Sequence, residues 1–351
     1  MLDIPRALVA AGAQVTVLQA GHDNYLHNEG DINIIFVKER GPRLSISGGS
    51  FPPLDLMHYI RSSAPDVIHV HGLHYASQIL YLSRFAKDIP IVLQDHANKP
   101  PTGTLRQRYH SRALACAAAV TFSDIQLAEE FYKQDVLSRE TPVYSVWEGS
   151  TRFTPGPQEL AQTESGINGA PCCLWVGDLN PNKDPLTVIK GIELAVEKLP
   201  GLKLWMCFRQ APLLREVESY VSAKPELRER VMLLGGQEHK KLENLYRACD
   251  FYVSASHCEG GAYSALEVFV CGAQPIVSDI SVFRAITAQG SQGGLFANGS
   301  VEQLVEQFVH WSDKISEKSC NDARKHFEEN FSVDVIARSL LDVYQDALQG
   351  K

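Results

Sequence analysis

The chain has 351 residues, 44% of them apolar and 21% charged, a make-up that excludes disorder and exceeds what one ordinary hydrophobic core organises. A formal net charge of −8 argues against a whole-surface attraction to nucleic acid or anionic lipid. No run approaches the roughly 20 apolar residues that span a bilayer, and the N-terminus lacks the basic start and apolar core of a signal peptide. Eight cysteines show no C-x-x-C spacing, and Cys172, Cys173, Cys207, Cys249 and Cys271 lie inside or beside apolar runs as core thiols do. The expected location is therefore cytoplasmic.

The chain opens on a helical pattern, LDIPRALVAAG, which runs into a strand at 14–18. Strand-length apolar runs follow at 32–37, 67–70, 91–93, 118–122 and 143–146, separated by helical periods at 54–62, 76–86, 105–115 and 125–132. Residues 148–171, rich in Gly, Pro, Ser and Thr, break the rhythm as a linker would. A second alternating set has strands at 172–176, 202–207, 231–234, 251–253 and 275–277 and helices near 185–198, 211–221, 239–248, 263–270 and 301–311. Residues 333–348 carry apolar side chains at helical spacing and read as a closing amphipathic helix. The pattern predicts an α/β chain of two doubly wound, Rossmann-like domains facing across a cleft, over 1–150 and 151–332, with 333–351 as the closing helix.

In such a sheet the first strand is normally central, and its turn crosses the ligand crevice. Here a helix comes first, so the sequence predicts an unpaired gap in the first sheet and residues upstream of Met1.

Ligands of open α/β sheets bind beyond the carboxyl ends of the strands, and polar residues collect there in both halves. His69, His71, Gly72 and His74 follow one strand of the first half, and Asp95 and His96 the next. In the second half the strand ends carry Gly177, Asp178 and Lys183, then Arg209, then Gly235, then Ser254, Ser256, His257 and Glu259. The stretch SHCEGGAYSALEVFVCGAQPIVSD has a physical reading of its own. Gly260 and Gly261 permit close backbone approach, and Ala262 and Tyr263 begin a helix whose free N–H groups and dipole suit a diphosphate. Gly272 stops that helix. Glu267, little more than a turn in, is placed to accept hydrogen bonds from a ribose diol, and Glu259 in the loop is free to hold a sugar hydroxyl. Lys183 on the facing loop is placed to neutralise a departing phosphate.

From Ser256 to Asp279, E-x7-E followed by CGAQPIV resembles the signature of the family-4 retaining glycosyltransferases of GT-B fold. DVIHVHGLH, LQDHA, WEGSTRFTPG and LWVGDLNPNKDPLTVIKG match further family segments in order. The resemblance implies transfer from a nucleotide-diphosphate sugar with retention, with neither metal nor cofactor. It implies that Glu259 contacts the donor sugar, Glu267 the ribose, Lys183 the diphosphate and His96 the reacting sugar, with His71 also on the acceptor side. It implies too that the last helix crosses back onto the first domain. The expected partners are the donor and a sugar or lipid-linked acceptor, with peripheral contact at the inner face of a membrane left open and nucleic acid excluded.

Two features depart from the family pattern. Asp178 stands where an arginine is typical, leaving Arg209 or Arg284 to supply the cation, and the glycine-rich turn after a first strand is absent. One alternative is therefore a catalytically degenerate member that binds a sugar nucleotide or a partner subunit. Another is a metal hydrolase built on His69, His71 and His74, since positions two apart on a strand share a face.

Overall fold

Strand-length apolar runs and amphipathic helices alternate in the folded chain much as they do in the sequence. The computed structural model describes residues 2–38, 56–96 and 99–350. The chain divides into two units, Met1–Ser150 with Val333–Lys351, and Thr151–Ser332. The first two residues of the helix predicted at 54–62 lie outside the described residues; the remainder is the helix Leu56–Ser63.

In the first unit β1 (Thr16–Gly21), β2 (Tyr25–Glu29) and β3 (Ile32–Lys38) form a sheet in the order β1-β3-β2, with β1 parallel and β2 antiparallel to β3. A second, all-parallel sheet runs in sequential order through β4 (Ile68–His71), β5 (Ile91–Gln94), β6 (Ala119–Phe122) and β7 (Val143–Ser145). Among the described residues no strand pairing joins the two sheets, and β1 and β4 each stand at an edge. The sequence did not foretell β2. Tyr25 and Leu26 are exposed, so no apolar alternation marks it; its pairing with β3 and the Tyr25 ring stacked 4.2 Å from Phe36 hold it instead.

Parallel strands covered on both faces are apolar throughout, and β5 and β6 are buried at every position. Their alternate residues feed two cores. Ile91, Leu93, Val120 and Phe122 pack with the helices Leu56–Ser63, Ala76–Phe85 and Thr104–Leu114. Val92, Ala119 and Val146 pack with the helix Asp3–Ala10 and the last helix, Val333–Gln349. That last helix turns Ile336, Ala337, Leu340, Val343 and Ala347 inward on one stripe, against Ala7 and Leu8. Each fully buried leucine or isoleucine of this kind contributes about 2 kcal/mol.

The second unit is one six-stranded parallel sheet. β8 (Cys172–Val176), β9 (Lys203–Cys207), β10 (Val231–Gly235), β11 (Phe251–Ser254), β12 (Gln274–Ser278) and β13 (Gly294–Phe296) lie in the order β10-β9-β8-β11-β12-β13. The chain runs outward from β8 to β10, then returns to β11 on the other side of β8, so the winding reverses between β8 and β11. At such a reversal the connections leave the two strand ends in opposite directions and open a crevice. Trp175, Phe251 and Phe308 are fully buried in the core beneath.

The segment predicted as linker carries a helix, Gln158–Ser165, that belongs to the second unit. Only Ala161 on it is buried, which hides its period. It is held by polar bonds, Gln158 Nε2 donating to Asp250 Oδ1 at 2.8 Å and Gln162 Nε2 to the Ala248 carbonyl at 3.0 Å. The helix Glu317–Asn330 escaped notice for the same reason, burying only Ala323 and Phe327. All eight cysteines are free thiols, and burial pushes those of Cys172, Cys207 and Cys271 up to about 12. Among the described residues no helix is long and apolar enough to cross a membrane.

Candidate functional site

The reversal in the second unit brings the loop after β8 against the loop after β11. Asn182 ties them: its carbonyl accepts from the His257 N–H at 2.8 Å and its side-chain amide donates to the Cys258 carbonyl at 3.0 Å. Lys183 and Glu259 are held together as an ion pair across this junction, with 25% and 13% of their side chains exposed. The Lys183 stem lies over Gly177, where a Cβ would sit 3.5 Å from its Cδ and 3.3 Å from the Trp175 ring. Asp184 adopts a left-handed conformation, φ 41°, and caps the helix Pro185–Ala195 by accepting from Thr187 N–H and Oγ1 at 3.2 and 2.7 Å. His257 Nε2 stands 3.3 Å from Asp184 Oδ2.

The loop after β8 is also laced to that after β9. Asp178 Oδ1 accepts from the Gln210 N–H at 3.1 Å, and the Gln210 carbonyl accepts from the Leu179 N–H at 2.8 Å. Arg209 is exposed, and its stem runs 3.7 Å from where a Cβ on Gly236 would stand. Gly235 takes φ 66° at a register shift that ends β10.

After Glu259 the chain enters the helix Tyr263–Cys271. The residue with positive φ in this turn is Ala262, at 43°, and neither Gly260 nor Gly261. Left-handed alanine is uncommon and costs on the order of 1 kcal/mol. Ala262 supplies no side-chain cap, and the helix turns the positive end of its dipole toward the loop, with the Ala265 N–H donating to the Ala262 carbonyl at 2.9 Å. Gly272, φ 92°, closes the helix, its N–H donating to Val268 and Phe269 carbonyls at 3.0 Å. Glu267 is nearly buried, 13% exposed, with His239 Nε2 3.4 Å away. Desolvation raises its pKa, against the lowering influence of the Tyr246 hydroxyl and His239. Phe153 backs His239, ring centroids 4.8 Å apart.

The first unit gathers imidazoles at the ends of β4 and β5. His71 Nδ1 lies 2.9 Å from His96 Nε2, and His96 Nδ1 lies 2.5 Å from Glu148 Oε2. The Glu148 side chain is 8% exposed. His69 stacks on His71 at 4.4 Å and is pinned by Tyr344 of the last helix, Nδ1 to hydroxyl 2.7 Å. Burial, then the charges of His71 and His96, drive the His69 pKa well down; desolvation and His96 push His71 to about 4 although its outer edge meets solvent.

Glu259 stands in the loop as expected, and there it is paired with Lys183. Two expectations need correction. Arg284 is spoken for by Asp279, Nη2 to Oδ2 2.9 Å, which holds that carboxyl below its ordinary range. The three-histidine metal site does not form: His74 packs on Tyr75, centroids 4.0 Å apart, while His69 and His71 meet face to face and spend their Nδ1 atoms on Tyr344 and His96. Among the described residues no three His, Cys, Asp or Glu side chains converge as a ligand set. Glu148, Tyr344 and His239 were missed. Glu148 carried a faint signal, an acid directly after an apolar strand and before glycine; Tyr344 and His239 meet their partners only through the fold.

A two-unit α/β fold of this topology, with polar strand ends and an uncapped helix at the reversal, defines the GT-B class of glycosyltransferase. Residues 158–330 match the family model for glycosyl transferases group 1, and residues 1–136 that for glycosyltransferase family 4. The chain belongs to these group-1, family-4 glycosyltransferases. It is 23% identical over 279 residues to the GDP-mannose:cellobiosyl-diphosphopolyprenol alpha-mannosyltransferase of Xanthomonas oryzae, covering 76% of this chain and 69% of that enzyme. Sucrose-phosphate synthase from Thermosynechococcus elongatus superposes with a TM-score of 0.73 at 18% identity, over 99% of this chain and 92% of that one. HepE from Anabaena, solved with UDP, does so with 0.70 at 15% identity, over 94% and 99%.

Proposed function

We propose that this protein transfers a hexose from a nucleotide-diphosphate sugar to a sugar or lipid-linked acceptor with retention at the anomeric carbon, without a metal. The observation that carries this reading is the Lys183–Glu259 pair set beside the uncapped start of the helix Tyr263–Cys271. A pyrophosphate entering there meets an ammonium and the positive end of the helix dipole, which together supply the positive charge that a metal supplies elsewhere. Its arrival competes with Glu259 for Lys183 and releases that carboxylate toward the sugar. Glu267, kept hungry for hydrogen by burial, takes the ribose hydroxyls. The acceptor oxygen attacks on the face the phosphate leaves, and the phosphate takes the acceptor proton as the C–O bond breaks. The UDP in HepE and the GDP-mannose in the name of the Xanthomonas enzyme support a nucleotide donor of this kind.

A second reading, a member that binds without transferring, is favoured by Asp178 in the turn next to the expected diphosphate. Calorimetry with UDP, GDP, UDP-glucose and GDP-mannose, followed by assay of sugar release, separates the two. Binding with transfer or slow donor hydrolysis supports the enzyme; binding without either supports the degenerate member. Failure of all four to bind would overturn the donor site.

A further inference from the structure

The second unit offers charge to a ligand, but the first offers a chain of imidazoles whose far end is a buried carboxylate. An ionised carboxylate only accepts hydrogen bonds, so Glu148 fixes the hydrogen of His96 on Nδ1. In a neutral His96 the other nitrogen, Nε2, is then a lone pair, and the 2.9 Å contact to His71 is filled only if His71 carries its hydrogen on Nδ1. That leaves Nε2 of His71 as a lone pair. Three separate segments supply the chain, the end of β4, the second residue after β5 and the residues after β7, so it is set by the tertiary fold and not by local sequence.

We propose that Glu148 is a positioning residue that locks His96 and His71 in their Nδ1–H tautomers, so that His71 Nε2 is presented at the rim of the β4–β7 sheet as an acceptor for an uncharged substrate hydroxyl. The ring of His69 backs His71 from inside, and Tyr344 holds His69, so the orientation of His71 is fixed along with its hydrogen. A His71 kept neutral, with its pKa near 4, suits this task and does not suit holding a phosphate. The residue that meets the ligand first on this side is therefore His71, exposed at its edge, with His96 behind it. The hydroxyl as ligand rests on the glycosyl-transfer reading; the tautomers do not.

The test is nitrogen-15 NMR of the imidazoles in the intact chain at about pH 8, where a free imidazole is neutral. Wild type is expected to show Nε2 of both His71 and His96 in the unprotonated range. Glu148→Ala is expected to lose the preference at His96 and with it the fixed state of His71, and Glu148→Asp to restore part of it. Glu148→Gln keeps a carbonyl acceptor of the same shape and is expected to keep the tautomers, which guards against an Ala variant that does not fold. Hydrogen on Nε2 of His71 in the wild type, or a folded Glu148→Ala with His96 unchanged, would overturn the proposal. Nucleotide binding in the second unit, measured on the same samples, reports separately on the donor-site reading.

Discussion

The two units place polar residues at the carboxyl ends of parallel strands by the same architecture, yet equip those ends with opposite chemistry. In the second, one lysine, one glutamate and an uncapped helix lie at the reversal between β8 and β11, with loops cross-tied by Asn182. In the first, imidazoles hand hydrogen bonds from one to the next and end on buried Glu148, and His69 and His71 are driven toward neutrality. A ligand group that is anionic gains from the former, and a neutral hydroxyl from the latter. One architecture thus sets where the polar strand ends stand, while two or three residues just past each strand set their charge.

The contrast breaks most visibly at Lys183. Lys183→Ala is expected to slow sugar transfer by roughly 10²- to 10³-fold, as loss of a pre-set positive group at a developing anion does. Single-turnover measurement is the check, and near-normal turnover would remove Lys183 from the chemistry. Next in size is a test of the units as separate cores. Leu340→Ala in the last helix empties a fully buried site in the first unit and is expected to cost about 3 kcal/mol. Hydrogen exchange is expected to rise in β5 and β6 while β8 and β11, whose core shares no residue with it, stay protected. Equal loss in both sheets would contradict that separation.

Glu267→Gln sharpens the electrostatic side of the comparison. An unfolded glutamate ionises near pH 4.3, but burial raises the value in the folded chain. The carboxylate therefore opposes folding, not at all below the unfolded value, increasingly as pH rises, and fully above the folded value. The Gln variant is expected to melt higher than wild type at pH 7 to 8, with the gain vanishing by about pH 4, while donor affinity falls by about tenfold as a charge-assisted bond to the ribose is lost. A variant that gains no stability and loses no affinity would make Glu267 an ordinary helix residue.

Much of this was legible in the sequence because parallel strands buried on both faces advertise themselves. β8 begins and ends where its apolar run does, and β5 and β11 extend the predicted runs by one residue. Gly272 stopped its helix for a reason of backbone geometry that any sequence carries. What stayed hidden carried little apolar pattern: β2 is held by its hairpin partner, Gln158–Ser165 by glutamine bonds, and Glu317–Asn330 by only two buried side chains, Ala323 and Phe327. The site divided the same way. Lys183 and Glu259 are 76 positions apart and were foreseen on facing loops, but their pairing is a matter of side-chain reach. Glu148 and His96 are brought together by strand order, which residue spacing does not encode.

The smallest expected effect concerns Asp178, the residue least suited to a diphosphate. Its carboxylate is not idle, since Oδ1 accepts the Gln210 N–H and so joins the loops after β8 and β9. Asn offers the same carbonyl oxygen without the charge, so Asp178→Asn separates the two roles that alanine would confound. A single charge of the wrong sign at a few ångströms costs on the order of 1 kcal/mol through screened solvent. The variant is therefore expected to bind UDP or GDP about fivefold more tightly with unchanged melting temperature, the gain shrinking as salt is raised because screening already weakens the repulsion in wild type. Unchanged affinity at low salt would mean that the pyrophosphate lies away from the turn after β8, and the anion-binding half of the contrast between the units would have to be moved to the helix start alone.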